Sequence, residues 1–329
     1  MLVDNHGREI SYVRLAVTDR CNLRCFYCMP EEGIRYLPKK DLLSFEEITR
    51  LMSILAPLGV SKVRFTGGEP FVRKDFMDLV KQVSAIEGVT DVHLTTNGVL
   101  TAPYVGQLKE AGVKSVNLSM DTLDRERFKA ITRRDEFGNV MDTLNLLVEA
   151  GFKVKINAVV MEGKNIDDII PLVQLTRDQN IDVRFIEEMP FNGEGSHYPV
   201  LTWTYRKIMD YIKATFPDID KLKDEPNSTS YNYRIKGHLG SIGVIAAFSR
   251  TFCGTCNRIR VTAQGTLKTC LYDNGVLNIR DLMRKGQSDE QIRRELLTAF
   301  SSRAKDGFEA EKNRGTGVGV SESMSTIGG

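Results

Sequence analysis

The sequence predicts an α/β fold: an incomplete (β/α)6 barrel of the TIM type, followed by a C-terminal extension. Three observations carry this. Short β-rich runs alternate with helical patterns as far as Phe191, the signature of parallel strands joined by helical crossovers. Six strand candidates each have one apolar and one polar face, whereas a sheet covered on both sides reads as nearly continuous apolar runs. A polar interior inside an apolar, helix-covered wall fits that alternation. After Phe191 the βα rhythm stops. The division expected is a core over 1–191, a C-terminal region over 192–301 and a flexible Gly/Ser/charge-rich tail over 302–329.

The elements follow in order. Alternate strand residues face opposite sides. In residues 12–18, Val13, Leu15 and Val17 oppose Arg14, Ala16 and Thr18. A helix over 44–57 opens with Ser44 and Glu47 at capping-box spacing. In the strand at 62–66, Val63 and Phe65 oppose Lys62 and Arg64. A helix at 75–86 leads to a strand at 91–95, where Val92 and Leu94 oppose His93 and Thr95. A helix at 104–111 precedes a strand at 115–119, with Val116 and Leu118 against Ser115, Asn117 and Ser119. A helix at 139–150 precedes a strand at 154–160, with Val154 and Ile156 against Lys155 and Asn157. A helix at 166–178 precedes the last strand of the core, 182–187, where Val183 and Phe185 oppose Arg184. In the extension, a helix at 204–215 leads through a polar stretch to hairpin strands at 230–236 and 241–248. A cysteine block flanked by strand-like runs and helices at 278–284 and 288–300 complete it.

Composition limits the function classes. With 41% hydrophobic and 27% charged residues the chain can bury a substantial core. Lys and Arg number 45 against 43 Asp and Glu, a formal charge of +2, so bulk charge implies no nucleic-acid partner. One Trp and scattered aromatics offer no stacking platform. No apolar run approaches the roughly 20 residues of a membrane span, and the N-terminus lacks a signal-peptide core. A cytoplasmic protein is expected, with no membrane partner. There, cysteines serve more often as metal ligands or catalytic groups than as disulfides.

All six cysteines fall into two triplets. Cys21, Cys25 and Cys28 are spaced C-x3-C-x2-C, and Cys253, Cys256 and Cys270 are spaced C-x2-C-x13-C. Iron–sulfur cubes usually take four thiolates. Three would leave one iron free for a small molecule, much as a catalytic zinc keeps an open position. From spacing alone, a zinc site with a distant fourth ligand, a redox thiol pair and buried cysteines remain alternatives.

The first triplet, in "TDRCNLRCFYC", together with "TGGEP" at residues 66–70, resembles the radical S-adenosylmethionine enzymes. That resemblance implies a [4Fe–4S] cluster on Cys21, Cys25 and Cys28, with S-adenosylmethionine chelating the open iron and cleaved to a 5′-deoxyadenosyl radical. Gly67 and Gly68 would let the backbone approach the cofactor. Glu69 would meet the methionyl ammonium, Tyr27 would flank the adenine, and Ser119 and Met189 would complete the pocket.

The resemblance narrows further. "LTTNG", "LSMD", "FIEEMP", "FCGTCNRIRVTAQGTLKTCLY" and the terminal Gly-Gly are similar to the GTP 3′,8-cyclases of molybdenum cofactor synthesis, over nearly the whole chain. This implies a second [4Fe–4S] cluster in the extension, on Cys253, Cys256 and Cys270, with its open iron facing guanine. It also implies a GTP site formed by Arg14, Lys62, Arg64, Thr95, Lys155, Arg184, Arg258, Ile259 and Arg260. The radical would remove hydrogen from C3′ of the ribose, and C3′ would then bond to C8. Gly328 and Gly329 are expected to reach the active site. A one-electron donor protein and a downstream cyclic pyranopterin monophosphate synthase are the expected partners. A homodimer is compatible with the chain, whose oligomeric state the sequence leaves open.

Strand parity reaches a related conclusion without the resemblance. Arg14, Lys62, Arg64, Lys155 and Arg184 all fall on the inferred inward face, and Arg258 and Arg260 alternate similarly. Lys and Arg are seldom buried unpaired, and inward carboxylates are scarce in these strands. A bound polyanion such as a triphosphate resolves the conflict. The rivals are a peptide-modifying radical enzyme, an electron-transfer iron–sulfur protein and a zinc-stabilised nucleic-acid-binding module.

Overall fold

The structure is a computed structural model describing residues 1–191, 200–314 and 322–328. The core runs β1 (Tyr12–Ala16), α1 (Phe45–Leu55), β2 (Lys62–Thr66), α2 (Phe76–Ser84), β3 (Asp91–Thr96), α3 (Val105–Glu110), β4 (Val113–Ser119), α4 (Arg125–Thr132), α5 (Phe137–Glu149), β5 (Lys153–Val160), α6 (Ile169–Asp178) and β6 (Asp182–Glu187). The remainder is α7 (Tyr205–Thr215), β7 (Ile219–Lys221), β8 (Ser230–Ile235), β9 (Ser241–Ile245), β10 (Arg258–Val261), β11 (Thr266–Lys268), β12 (Leu277–Asn278), α8 (Ile279–Arg284), α9 (Asp289–Phe300), α10 (Gly307–Asn313) and α11 (Met324–Ile327).

Among the described residues one sheet holds every strand, in the order β12-β11-β10-β1-β2-β3-β4-β5-β6-β9-β8-β7. Its centre is the predicted arc, β1 to β6, each parallel to the next. The extension continues this sheet at both edges: β10 pairs parallel with β1, and β9 parallel with β6. The β8–β9 hairpin is antiparallel, as expected.

The strand faces sort as their alternation predicts. Val13, Leu15, Val63, Phe65, Val116, Leu118, Val154, Ile156, Val183 and Phe185 are all buried in one apolar core. Full burial of each such side chain is worth about 1.5–3 kcal/mol. Helix α1 closes that core with Ile48, Leu51, Met52 and Leu55, and Ser44 and Glu47 form the expected reciprocal cap.

Three elements before residue 302 escaped the sequence: α4, β7 and the two-residue β12. Helix α4 is strongly polar, burying Phe128, Ile131 and Thr132, and is capped by Asp124; its short apolar stripe gives little periodic signal. Strand β7 is three residues paired to β8. The segment after 302, expected to be flexible, carries α10 and α11 in its described residues. Ala310 and Ile327 join Phe191 and Tyr272 in a small separate apolar cluster, which the Gly/Ser-rich composition conceals.

Candidate active site

Both cysteine triplets open onto one cavity of about 300 Å³ at the C-terminal ends of the core strands. The first sits on the loop after β1. The loop after β2 is laced to it: Gly68 N donates to Thr18 O and Glu69 N to Arg20 O, both at 2.8 Å. A Cβ on Gly67 would lie 2.4 Å from Thr18 O, and one on Gly68 would lie 2.1 Å from Arg20 O. Gly67 also has φ +144°, where L side chains are strained. The glycine pair therefore lines the cavity, yet what forbids larger residues is the neighbouring backbone.

Glu69 is wholly buried and does not line the cavity. Its carboxylate accepts from Thr96 Oγ1 at 2.9 Å, Asn97 N at 2.7 Å and Phe71 N at 3.2 Å. It ties the end of β2 to the end of β3. Burial pushes its pKa up to about 7. Asn97, to which no role had been assigned, donates from Nδ2 to Cys21 Sγ at 3.6 Å. Tyr27 lines the cavity and donates to Asp121 Oδ2 at 2.8 Å, and Asp121 Oδ1 accepts from Val159 N. Burial raises Asp121 to about 6. The unforeseen α4 supports this loop: Arg24 N donates to Thr132 O and Phe26 N to Ile131 O. Ser119 and Met189 line the cavity.

The second triplet reaches the same cavity through the β1–β10 pairing. Cys253 and Cys256 lie between β9 and β10, and Cys270 follows β11. Asp273 Oδ2 accepts from Thr269 N and Cys270 N at 2.8 and 2.7 Å, fixing that turn. All six cysteines are free and half-buried. Burial pushes Cys21 up to about 12, and Cys28 and Cys270 up to about 11. At Cys256 burial also opposes ionisation, but the Arg258 and Arg303 cations outweigh it and bring the thiol down to about 6.

Soft thiol donors in threes, with N–H groups at three of the sulfurs (from Asn97 at Cys21, from Arg303 at Cys256 and from Tyr272 N at Cys270), fit an iron–sulfur group on each triplet. Among the described residues, no three ligating side chains converge as they would on a single ion. A cubane attaches each thiolate to a different iron and asks for no such convergence.

The predicted cations divide. Arg14, Arg184, Arg258 and Arg260 line the cavity, with Thr95. The register places Arg14 between Arg260 and Arg64 on neighbouring strands. Lys62, Arg64 and Lys155 do not reach the cavity wall and already have partners. Arg64 donates to Tyr12 Oη at 2.7 Å and Leu94 O at 2.8 Å. Lys155 Nζ lies 3.6 Å from Asp182, and Lys62 Nζ is 5.1 Å from the Tyr12 ring centroid. The scarcity of partners expected from sequence is thus corrected in part by Tyr12, a buried phenol. Ile259 faces the apolar core and is not part of the wall. Burial, reinforced by Arg184, lowers Lys155 to about 7. Burial and neighbouring arginines bring Arg184 to about 10 and Arg260 to about 9.

Among the described residues, five wall residues keep a buried polar atom without a protein partner: Arg14 Nε, Arg184 Nε, Arg250 Nε, Asn117 Oδ1 and Asn157 Oδ1. Each such atom costs about 1–3 kcal/mol unless a ligand or water meets it. The end of the chain comes to the same place. Ser323 Oγ donates to Cys28 O at 2.7 Å, and Arg260 Nη1 donates to Gly328 O. A Cβ on Gly328 would lie 2.8 Å from Thr66 Cγ2. Gly329 lies outside the described residues.

Two family models match the chain: the radical SAM superfamily over residues 15–176, and Molybdenum Cofactor Synthesis C over residues 181–308. The chain is 44% identical to molybdenum cofactor biosynthesis protein 1 of Mus musculus over 294 residues, 89% of this chain and 46% of that protein. It thus spans about half the length of that relative. It is 43% identical to the mitochondrial GTP 3′,8-cyclase of Arabidopsis thaliana, covering 93% of this chain and 78% of that one. Against the GTP 3′,8-cyclase of Peptoclostridium acidaminophilum it is 41% identical, covering 87% and 88%. Among solved structures, Streptococcus suis SuiB superposes with a TM-score of 0.63 at 14% identity, over 90% of this chain and 66% of that one. His6-tagged anSMEcpe with bound AdoMet gives 0.56 at 17% identity, over 89% and 81%. These two likenesses concern the fold alone.

Proposed function

The chain belongs to the radical S-adenosylmethionine superfamily and, within it, to the GTP 3′,8-cyclase family, and on that premise we propose that it converts GTP to (8S)-3′,8-cyclo-7,8-dihydroguanosine 5′-triphosphate. This is the first step of molybdenum cofactor synthesis. The observation that carries the reading is the shared cavity: both cysteine triplets and five arginines, Arg14, Arg184, Arg250, Arg258 and Arg260, face the same space.

Cys21, Cys25 and Cys28 hold one [4Fe–4S] cluster in this reading, and Cys253, Cys256 and Cys270 a second. The first cluster and S-adenosylmethionine, when bound, supply the carbon radical that takes the hydrogen from C3′ of the ribose. C3′ then bonds to C8 of guanine, and one electron and one proton complete the dihydro ring. Tyr27, Gly67, Gly68, Ser119 and Met189 surround S-adenosylmethionine, with Glu69 behind them holding β2 and β3 in register.

Arg14, Arg184, Arg258 and Arg260 take the triphosphate, and Thr95 adds a hydroxyl. Lys62, Arg64 and Lys155 form a deeper positive layer that raises the local potential. The unmatched Asn117 and Asn157 oxygens accept from ribose hydroxyls or base N–H groups. Gly328 meets Arg260 through its carbonyl, and Gly328 and Gly329 are assigned together to catalysis in this reading. No side chain needs to act as a general base. The division at 1–191, 192–301 and 302–329 assigns the cofactor to the core and the base to the extension. A cytoplasmic homodimer, a one-electron donor protein and a downstream cyclic pyranopterin monophosphate synthase complete the proposal. Among the described residues no helix is long and apolar enough to cross a membrane.

The test is anaerobic. The chain is reconstituted with iron and sulfide, reduced, and given S-adenosylmethionine with GTP or with ATP. Mass spectrometry should find 5′-deoxyadenosine and an isomer of GTP, with no counterpart from ATP. Deoxyadenosine with no GTP isomer would move the substrate elsewhere. No deoxyadenosine from a fully loaded chain would sink the radical reading.

A further inference from the structure

Behind the cavity, three charged side chains join the two ends of the chain. Asp4 Oδ2 accepts from Arg8 Nε at 2.6 Å and from Arg303 Nη1 at 3.1 Å. Its other oxygen accepts from His6 N and Arg8 N. Asp4 and Arg303 are 6% and 4% exposed, and neither lines the cavity.

The two arginines hold the second cysteine triplet. Arg8 Nη1 donates to Cys253 O at 3.1 Å. Arg303 Nε donates to Thr269 O, next to Cys270, at 2.9 Å, and Nη1 donates to Cys256 O at 2.9 Å. Its Nη2 donates to Arg258 O at 2.8 Å and to Cys256 Sγ at 3.3 Å. With Asp4 this makes one contact for each of the five N–H donors a guanidinium carries. Four of them fix backbone or carboxylate, and one is aimed at sulfur. A lysine could not reproduce that planar fork.

We propose that Arg303, anchored by Asp4, is a positioning residue that sets both the geometry and the redox potential of the iron–sulfur group on Cys253, Cys256 and Cys270. The inference rests on the reading above that this triplet holds a cluster. An N–H donated to a ligating thiolate favours the more negatively charged, reduced cluster and so raises the potential. Arg258 is a second cation beside Cys256, but it faces the cavity and belongs to the substrate wall. Arg303 acts from the protected side, where substrate does not alter its bonds.

The test uses the full chain with Cys21, Cys25 and Cys28 replaced by Ala, so that only the second cluster loads. Iron content and a redox titration followed by electron paramagnetic resonance are measured with and without Arg303→Lys. The expected result is about four irons per chain in the parent, comparable iron in Arg303→Lys, and a midpoint potential displaced to more negative values. Comparable iron with an unmoved potential would reduce Arg303 to a structural brace and overturn the inference. Should Arg303→Lys fail to load, Asp4→Asn decides. Removing that carboxylate should displace the potential to more positive values, and an unmoved potential there also overturns it. A parent chain that binds no iron would overturn the cluster reading itself, and this inference with it.

Discussion

Replacing Tyr12 with Phe removes one hydroxyl from the floor of the polar interior and leaves the ring in place. That oxygen accepts from Arg64 Nε at 2.7 Å, and Arg14 and Lys62 stand 5.9 and 5.1 Å from the ring centroid. Burial pushes the phenol up, but Arg64, Arg14 and Lys62 outweigh it and bring it from 10.0 down to about 7. That displacement corresponds to roughly 4 kcal/mol in favour of the tyrosinate. It is a ceiling, because Lys62, one of the three cations that favour the anion, is itself lowered by burial. The folded value lies below the unfolded one, so the unfolded chain holds the proton between about pH 7 and 10. The stability contributed by Tyr12 is therefore complete above about pH 10 and is lost as pH falls through about 7. The assay is tyrosinate absorbance in the near ultraviolet, on the metal-free full chain, wild type against Tyr12→Phe. One of the ten tyrosines should ionise near neutrality, and that component should vanish in the variant. Inorganic triphosphate should displace the midpoint upward, since a polyanion takes over the cations that favour the anion. Titration curves that superimpose below about pH 9 would refute the reasoning, because an ordinary tyrosine stays protonated there.

Gly68→Ala places a methyl group on Arg20 O, so the loop carrying the first triplet must move. Strain of about 1–3 kcal/mol should appear as lost iron at the first site and lost deoxyadenosine formation, with the second site still loaded. Deleting Gly328 and Gly329 removes the carbonyl that accepts from Arg260. Both iron sites should load as in the full chain while cyclisation falls, and full activity from the shortened chain would contradict the role given to the tail. Phe185→Ala empties a wholly buried site on β6 and should cost about 3–5 kcal/mol of stability, read as a lower denaturation midpoint of the metal-free chain.

Much of the fold was legible because strand parity is local. Val63 and Phe65 against Lys62 and Arg64 can be read from one strand, and the structure buries both apolar residues. The cysteine triplets were legible from spacing alone. What escaped depends on pairings between distant segments. That β10 lies parallel beside β1, and so brings Arg260 to Arg14, has no local sign in either strand. Tyr12 reads as one more aromatic until β1 and β2 are placed in register. Arg303 lies in a stretch whose composition resembles a frayed tail, and its partner Asp4 is near the other end of the chain. Helix α4 was missed because its polar surface hides a short buried stripe. Glu69 was legible as part of "TGGEP", but its commitment to Thr96, Asn97 and Phe71 appears only when the ends of β2 and β3 meet.

The central claim is that one cavity brings the radical chemistry of the first triplet to the ribose of GTP. GTP carrying deuterium at C3′ tests it most directly, with the fully loaded, reduced enzyme and S-adenosylmethionine under anaerobic conditions. The account predicts that the deuterium passes to 5′-deoxyadenosine while the nucleotide product loses it. Unlabelled deoxyadenosine beside GTP that keeps its deuterium would contradict the account, because the radical would then be meeting something other than the C3′ hydrogen.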